Sequence, residues 1–345
     1  MRLGKPRRSL RWLLPLLALI VLSTALWTWW AEQNPREERE MRVLVQDRLA
    51  QWFPEEMNPS SGGYGFVPLL PERAREAPRV LLVHGLDEPG GIWDDLVPAL
   101  DQAGYDVWEF RYPNDQALDR SADLLAEYWP TIQDEAPVVL IGHSMGGLVI
   151  RDFVTRWRHP VGSPPGVTGA PVQGVILVGT PNQGSDWARL RVWLELRDNF
   201  VTALDRRFSL FAGLRDGTGA AKIDLRPGSD YLQELNARAW PESIPLHIIG
   251  GYLLEAPQSF TAALDSIADE LGSDALTVPL EAWWSDLGEG LGDGVVAVAS
   301  LPFDGAPPPI LVQASHRGLV ARLFPNDPQP AAIDPILDLL AEFND

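Results

Sequence analysis

The chain has 345 residues, 46% of them apolar, and its formal net charge at pH 7 is −19. An apolar fraction of this size supports a folded core. Proteins that bind nucleic acid need clustered lysine and arginine to neutralise phosphates. We therefore do not expect this acidic chain to bind nucleic acid. The chain has no cysteine, which excludes disulfides, thiolate metal sites and a cysteine nucleophile.

The N-terminal 30 residues differ in charge from the rest of the chain. Five basic residues and no acidic residue lie in 1–11, and residues 12–30 carry no charge. This run approaches the ~20 residues of one membrane-spanning helix, and the basic flank predicts a cytoplasmic N-terminus. We therefore expect 1–30 to be a signal anchor that holds the following domain outside the cytoplasm, at a bacterial inner membrane or in the periplasm. A cleaved signal peptide, with secretion of the domain, is the alternative.

The next segment, residues 31–78, is predicted to be a stalk and linker. Residues 32–48 are charged and partly helical, whereas the glycines and prolines of 54–78 allow at most short strands. From residue 79, short aliphatic runs alternate with longer helical stretches. The predicted strands are 80–83, 106–110, 138–141, 172–178, 246–249 and 310–312, and the predicted helices are 93–103, 117–133 and 146–157. This alternation favours an α/β fold with a doubly wound, mostly parallel sheet.

The most informative segment is Gly142-His143-Ser144-Met145-Gly146, between a predicted strand and a predicted helix. It is a G-x-S-x-G sequence in the strand–turn–helix context that a nucleophile elbow requires. Glycines on both sides leave room for a tight turn, which projects the serine hydroxyl from the carboxyl end of the sheet at a helix N-terminus. A serine that only capped a helix would not need both glycines. Ser144 is therefore the predicted nucleophile.

With this motif, the sequence resembles the lipase and esterase branch of the α/β-hydrolase family. Three further segments carry the resemblance: 81–86 (LLVHGL), 179–185 (GTPNQGS) and 228–236 (GSDYLQELN). They are similar to the strand that ends in the oxyanion loop, the stretch after the next strand, and a helix of several bacterial lipases.

The resemblance covers roughly residues 79–343 and is densest before residue 185. It implies one α/β-hydrolase domain at 79–345, with a cap insertion at 182–240 and a second insertion at 252–291.

A serine nucleophile needs a base, and the base needs a group that orients it. The chain has five histidines. The resemblance gives His84, in the oxyanion loop, and His143, in the elbow, local packing roles. His159 lies in a proline-rich loop and His247 in the middle of a strand. His316 follows the last predicted strand, where the family has its histidine, and is the predicted base; an exposed loop histidine is the alternative.

The acid must lie between the nucleophile and the base in the chain order of this family. Asp293, in the segment GDGVV, is the predicted acid, because similar lipases place theirs in an Asp-Gly-x-Val turn. An ordinary Asp-Gly hairpin is the structural alternative. Asp304 and Glu255 remain rival acids, and Glu255 follows a strand at the more usual place for this fold.

The resemblance also implies an oxyanion hole formed by the backbone N–H groups of Leu86 and Met145. A single glycine before a bulky residue, as at 85–86, is typical of relatives that act on medium- and long-chain acyl esters. The first insertion carries an amphipathic stripe that predicts either a lid over the serine or a helix packed on the core. Its residues are Leu190, Leu194, Val201, Leu204, Phe208 and Phe211, with Trp187 and Trp193 nearby. In the second insertion, Trp283 and Trp284 are expected to line the acyl channel.

We therefore expect a serine hydrolase that cleaves carboxylic esters, with lipids or medium- to long-chain acyl esters as substrates. No cofactor is expected, and no metal ion, since the acidic residues show no coordination loop of recognisable spacing. Two alternatives keep part of this interpretation. One is a transacylase or deacylase that acts on a lipid-linked head group, and the other is a non-enzymatic, anchored binding module on a hydrolase fold.

Overall fold

A computed structural model describes residues 10–57, 63–71, 78–86, 91–132, 136–186, 218–253, 290–322, 324 and 326–343. Within these ranges, seven strands form one sheet. The strands are β1 (Gly65–Pro68), β2 (Arg79–Val83), β3 (Asp106–Arg111), β4 (Val138–His143), β5 (Val172–Val178), β6 (Leu246–Tyr252) and β7 (Ile310–Gln313). Their order across the sheet is β1-β3-β2-β4-β5-β6-β7.

The sheet is parallel from β3 to β7, and β1 alone pairs in the antiparallel direction, with β3. The predicted α/β fold with a mostly parallel sheet is confirmed, and all six predicted strands are present. The additional strand, β1, lies in the part of the chain for which the sequence predicted a linker with at most short strands. Because it contributes only four residues at the edge of the sheet, its weak sequence signal is understandable.

The helices with assigned bounds are α1 (Leu10–Gln33), α2 (Pro35–Trp52), α3 (Pro54–Met57), α4 (Leu96–Gln102), α5 (Leu118–Tyr128), α6 (Met145–Asp152), α7 (Ala220–Asp224), α8 (Asp230–Asn236) and α9 (Ile333–Glu342). The three helices predicted within the domain overlap α4, α5 and α6. The helix predicted at 146–157 is α-helical only in its first part, α6, and continues as a π-helix over Phe153–Arg158.

Helices cover both faces of the sheet and divide the core into two layers. Along β2, Leu81 and Val83 pack in the layer that includes α5 and α6, whereas Val80 and Leu82 pack in the layer that includes α4 and α9. Every residue of β4 is buried. A strand covered on both faces has no solvent side, which explains why β4 is a continuous apolar run rather than an alternating one.

The N-terminal helix α2 packs against the α/β domain rather than standing clear of it. Its residues Glu38, Arg39 and Arg42 form ion pairs and hydrogen bonds with residues on and next to α7. We call this contact the α2 seam. The segment for which the sequence predicted a stalk and linker thus contributes a docked helix and an edge strand to the domain.

The helix α1 precedes this contact and has 24 residues. Across the part of the chain that the structure describes, none of the helices combines the length and the apolar character needed to cross a membrane. The predicted membrane segment at 1–30 is therefore unconfirmed.

The two predicted insertions are described only at their ends. The first is described at 182–186 and 218–240, and the second at 252–253 and 290–291. The amphipathic stripe of the first insertion, the two neighbouring tryptophans of the second and the rival acid Glu255 lie outside the described residues.

Candidate active site

Ser144 occupies the turn between β4 and α6 in a strained backbone conformation. Its φ is +55° and its ψ is −128°, and among the described residues it is the one non-glycine residue with a positive φ. Such a conformation costs a residue with a side chain about 1–3 kcal/mol and persists only where the surroundings enforce it. A hydrogen bond of 2.8 Å from the Ser144 N–H to the Val178 carbonyl helps to hold the turn against β5. The predicted elbow geometry is therefore present.

The glycines around Ser144 are required because the chain passes very close to other atoms. A Cβ on Gly142 would lie 2.6 Å from the Gly147 Cα, inside the turn itself. A Cβ on Gly146 would overlap the carbonyls at the end of β2, and one on Gly147 would overlap the Thr180 hydroxyl. The three glycines thus let β4, α6 and the end of β2 approach one another, which a serine cap in an ordinary turn would not need.

His316 lies between the predicted nucleophile and the predicted acid. Its Nε2 is 2.8 Å from the Ser144 Oγ, and its Nδ1 is 2.7 Å from the Asp293 Oδ2. A carboxylate accepts hydrogen bonds, so we assign the ring proton to Nδ1. Nε2 is then left with a lone pair directed at the serine hydroxyl. The structure brings the three predicted residues together in the geometry of a serine–histidine–acid triad.

Asp293 is held in a fixed orientation inside the protein. Its side chain has no exposed surface, and its Oδ1 accepts hydrogen bonds from the N–H groups of Val295 at 2.9 Å and Val296 at 2.8 Å. The adjacent Gly292 and Gly294 have positive φ values of 49° and 89°, which a tight turn around the aspartate requires. With Oδ1 occupied by backbone donors, Oδ2 is directed at the histidine.

Small residues on the neighbouring strands make room for this carboxylate. A Cβ on Gly251 would lie 2.7 Å from the Asp293 Cβ, and one on Gly179 would lie 3.3 Å from the Asp293 Oδ2. The rival acid Asp304 lies in an exposed turn. Of the acids that the structure describes, Asp293 is the one in contact with His316.

The predicted oxyanion loop packs directly on Ser144. A Cβ on Gly85 would lie 2.8 Å from the Ser144 Cβ, so only glycine fits between Leu86 and the elbow. Met145 is the first residue of α6, and four residues before it the chain is still in β4, so its N–H has no helical carbonyl to bond. The two amides proposed for the oxyanion hole therefore lie on segments that meet at Ser144.

Tyr112, which the sequence did not indicate as a site residue, supports the predicted oxyanion loop. Its hydroxyl donates a hydrogen bond of 2.6 Å to the His84 carbonyl, and its ring stacks on the His84 ring with 4.6 Å between centroids. The side chain is buried, and burial raises its pKa. It therefore stays a neutral donor that fixes the peptide just before Gly85. A tyrosine followed by proline after a strand carries no local signal of such a role.

The remaining histidines make other contacts. His84 is buried against Tyr112, and His143 lies beneath His316 in the elbow. His159 follows the π-helix, and His247 in β6 is partly exposed. In the described ranges, no group of three or more histidine, aspartate or glutamate side chains could hold a metal ion.

The fold and the triad together define the class of protein: an α/β sheet that presents a serine elbow, a histidine and an acid at the carboxyl ends of its strands. A model of the alpha/beta hydrolase family matches residues 80–333. The chain belongs to the α/β-hydrolase family, and the predicted resemblance is confirmed.

Several solved structures are similar to this one. The mature lipase BlEst2 of Bacillus licheniformis is 17% identical, with 79% of this chain and 95% of that chain covered and a TM-score of 0.46. The Staphylococcus hyicus lipase is 15% identical, with 79% and 98% covered and a TM-score of 0.48. The metagenomic carboxyl esterase MGS0156 is 16% identical, with 89% and 90% covered and a TM-score of 0.49. No curated protein matches the chain in sequence.

Proposed function

We propose that this protein is a serine hydrolase that cleaves carboxylic esters through an acyl-enzyme intermediate. The observation that carries the proposal is the continuous hydrogen-bonded path from the Ser144 hydroxyl through His316 to the buried Asp293 carboxylate. A serine hydroxyl is a weak nucleophile, and this path supplies both a base and a group that orients it. A binding module would need neither the strained serine nor the buried carboxylate.

The proposed mechanism follows from these contacts. Ser144 Oγ attacks the ester carbonyl while His316 Nε2 takes its proton, and the Asp293 carboxylate stabilises the imidazolium that forms. The backbone N–H groups of Leu86 and Met145 donate to the oxyanion of the tetrahedral intermediate, and each such donor typically contributes about 10²–10³-fold in rate. His316 returns the proton to the leaving alcohol. Water, activated by the same histidine, then releases the acid and restores the serine.

The proposed substrates are lipids or other esters with medium to long acyl chains, because the first insertion begins, and the second ends, beside the turn that holds Asp293. Ser185, at the start of the first insertion, donates a hydrogen bond of 2.5 Å to the Val295 carbonyl, in the turn that holds Asp293. The Gln183 N–H donates to the Ser300 carbonyl at 3.1 Å, and the Ser300 hydroxyl donates to the Gly184 carbonyl at 2.5 Å. These bonds tie the base of the first insertion to the segment that follows the second. An acyl chain bound at Ser144 would therefore lie close to where the first insertion starts and the second ends.

An active-serine fluorophosphonate probe, combined with a chain-length series of nitrophenyl esters, tests the proposal. Labelling of the wild-type protein that is absent in Ser144→Ala, with turnover of the esters, is the expected result. A binding module would show neither. Product analysis in the presence of a lipid-linked alcohol distinguishes the transacylase alternative, because only that activity would move the acyl group to the added acceptor rather than to water.

We further propose that the catalytic domain lies outside the cytoplasm. The support comes from the sequence, in which five basic residues precede the uncharged run at 12–30. Cell fractionation with an alkaline wash, followed by N-terminal sequencing, tests this placement. A species that stays in the membrane pellet indicates an anchor, a shortened species outside the membrane indicates a cleaved signal, and full-length protein in the cytosol would contradict the proposal.

A further inference from the structure

The residue before the nucleophile makes a contact that the proposed mechanism does not use. His143 is the last residue of β4 and is only 4% exposed. Its Nε2 lies 3.0 Å from the main-chain carbonyl oxygen of His316. A carbonyl can only accept, so the hydrogen must lie on Nε2, and His143 donates to the backbone of the residue that serves as base.

The surroundings keep the His143 ring neutral. Burial lowers its pKa to about 3, and the neighbouring His316, Arg317 and His84 oppose a positive charge there. The ring centroid of His143 is 4.8 Å from that of His316. When His316 becomes an imidazolium during the reaction, it therefore faces a neutral donor rather than a second cation. The Trp93 ring, whose centroid is 6.4 Å away and nearly perpendicular, packs on the same side chain.

The donated hydrogen bond joins three other hydrogen-bonding contacts on His316, one of which is the contact between Nε2 and the Ser144 Oγ. The other two both involve the acid: the His316 N–H donates to the Asp293 carbonyl at 2.9 Å, and Nδ1 contacts the carboxylate. These two tie the base to the acid but not to the nucleophile. His143 adds a second connection to Ser144 beside the Nε2–Oγ contact, since it is covalently bonded to Ser144 and hydrogen-bonded to the His316 carbonyl.

This connection matters because the strand that leads to His316 is poorly buried. Ile310 and Leu311 in β7 are 39% and 44% exposed, and β7 lies at the edge of the described sheet opposite β1. The core anchors the loop after this strand through Leu319 and Val320, which are fully buried but lie three and four residues beyond His316. A contact that starts from the fully buried β4 fixes the loop relative to the elbow.

We propose that His143 is a positioning residue, whose neutral imidazole holds the His316 carbonyl and thereby sets the distance between the Ser144 Oγ and the His316 Nε2. This inference rests on the proposed function of the triad. It assigns to His143 a hydrogen-bonding role in place of the packing role that the family resemblance implied.

Two substitutions separate the hydrogen bond from the packing. His143→Phe keeps a ring of similar size but removes the donor, whereas in His143→Gln the side-chain amide nitrogen can take the place of Nε2. We expect His143→Phe to lower kcat by about 10–100-fold with little change in KM, since small misplacements of reacting groups can reduce rates by ~10². The rate of fluorophosphonate labelling should fall in parallel. His143→Gln should restore most of both rates, and His247→Phe, the same substitution in β6, should leave them unchanged.

The result that overturns the inference is a His143→Phe variant with wild-type kcat, or a His143→Gln variant that is as impaired as His143→Phe while both melt like the wild type. Nitrogen-15 NMR of histidine-labelled wild-type protein provides a second measurement that needs no variant. The His143 ring should carry its proton on Nε2 and stay neutral from pH 5 to pH 9, and a proton on Nδ1 would overturn the inference. Activity that survives in Ser144→Ala would instead contradict the proposed function, so the two failures can be told apart.

Discussion

The triad and the α2 seam are held together by different kinds of contact. Around Ser144, backbone segments approach so closely that only glycine fits at several positions, and the hydrogen bonds have fixed partners. In the α2 seam, long charged side chains meet instead. Arg39 contacts Asp224 at 2.6 Å, and Glu38 contacts Arg226 at 3.3 Å.

Because the contacts differ, substitutions in the two regions should have different effects. At the triad a single added methyl group meets backbone atoms that cannot move, so small substitutions should change the rate of the reaction. In the seam, Glu38 and Asp224 are each only 1% exposed, so the penalty for a change arises from leaving a buried charge without its partner. Substitutions there should change stability and leave the chemistry intact.

The largest effect is expected for Ser144→Ala, which removes the nucleophile without touching the seam. Esterase turnover should fall by about 10⁴-fold or more, as when other triads lose a member. The melting temperature should not fall, because the alanine removes only a partly exposed hydroxyl. Steady-state kinetics and calorimetry on the same preparation measure both quantities. Probe labelling that persists in this variant would show that the nucleophile is another residue.

The next effect concerns the acid. Asp293→Asn should reduce kcat by a factor that approaches ~10⁴, because the amide cannot stabilise the imidazolium and favours the wrong tautomer of His316. Asp304→Asn and Glu255→Gln are the matched controls, and both should stay close to wild-type activity. If either control is crippled while Asp293→Asn is mildly affected, the acid has been assigned to the wrong residue.

Gly85→Ala tests whether the close approach of the oxyanion loop to the nucleophile matters. The added Cβ would lie 2.8 Å from the Ser144 Cβ, so the loop or the elbow must shift. We expect kcat to fall by about 10²-fold, the order of effect of a 1 Å misplacement. Gly290→Ala is a suitable control, because a Cβ there would have no atom of the described residues within 4 Å. Equal activities of the two variants would mean that the loop tolerates displacement.

The triad could be predicted from the sequence, whereas the α2 seam could not. Ser144 could be predicted because an elbow needs glycines at fixed local spacing, and His316 because the chain offers only five histidines and a defined position after the last strand. Asp293 could be predicted from its turn, although two rivals remained. Four strands of the parallel sheet, β2, β4, β5 and β6, were recognisable because burial on both faces leaves continuous apolar runs.

The other contacts could not be predicted, because they join residues far apart in the chain. Glu38 and Arg226 are separated by 188 positions, and His143 and His316 by 173. A charged helix such as α2 has the same composition whether it is exposed to solvent or packed on a domain. Its charged pattern was therefore interpreted as an exposed stalk. Tyr112 was missed for the same reason, since its partner is a backbone carbonyl that has no sequence signature.

The smallest effect on catalysis is expected in the α2 seam, where Glu38→Ala should instead lower the free energy of unfolding. Arg226, with its side chain 8% exposed, would lose the Glu38 carboxylate 3.3 Å away, and removal of one partner of a buried ion pair typically costs about 3–5 kcal/mol. Asp47→Ala on the same helix is the matched control. Asp47 pairs with Arg120 at 2.5 Å, but the two side chains are 47% and 40% exposed, so its loss should cost about 0–1 kcal/mol.

Urea denaturation of both variants, with kcat measured under folded conditions, separates the two regions. Glu38 contacts Arg42 and Arg226 but none of the triad residues. The folded Glu38→Ala protein should therefore keep wild-type kcat. Equal unfolding free energies for the two variants would mean that the seam is solvated and that α2 only rests on the domain. A fall in kcat for Glu38→Ala alone would mean that the seam holds the end of the cap insertion, where the Thr218 hydroxyl donates to the Arg42 carbonyl at 2.6 Å. In that case, the stability of the N-terminal helix and the shape of the substrate site would be coupled.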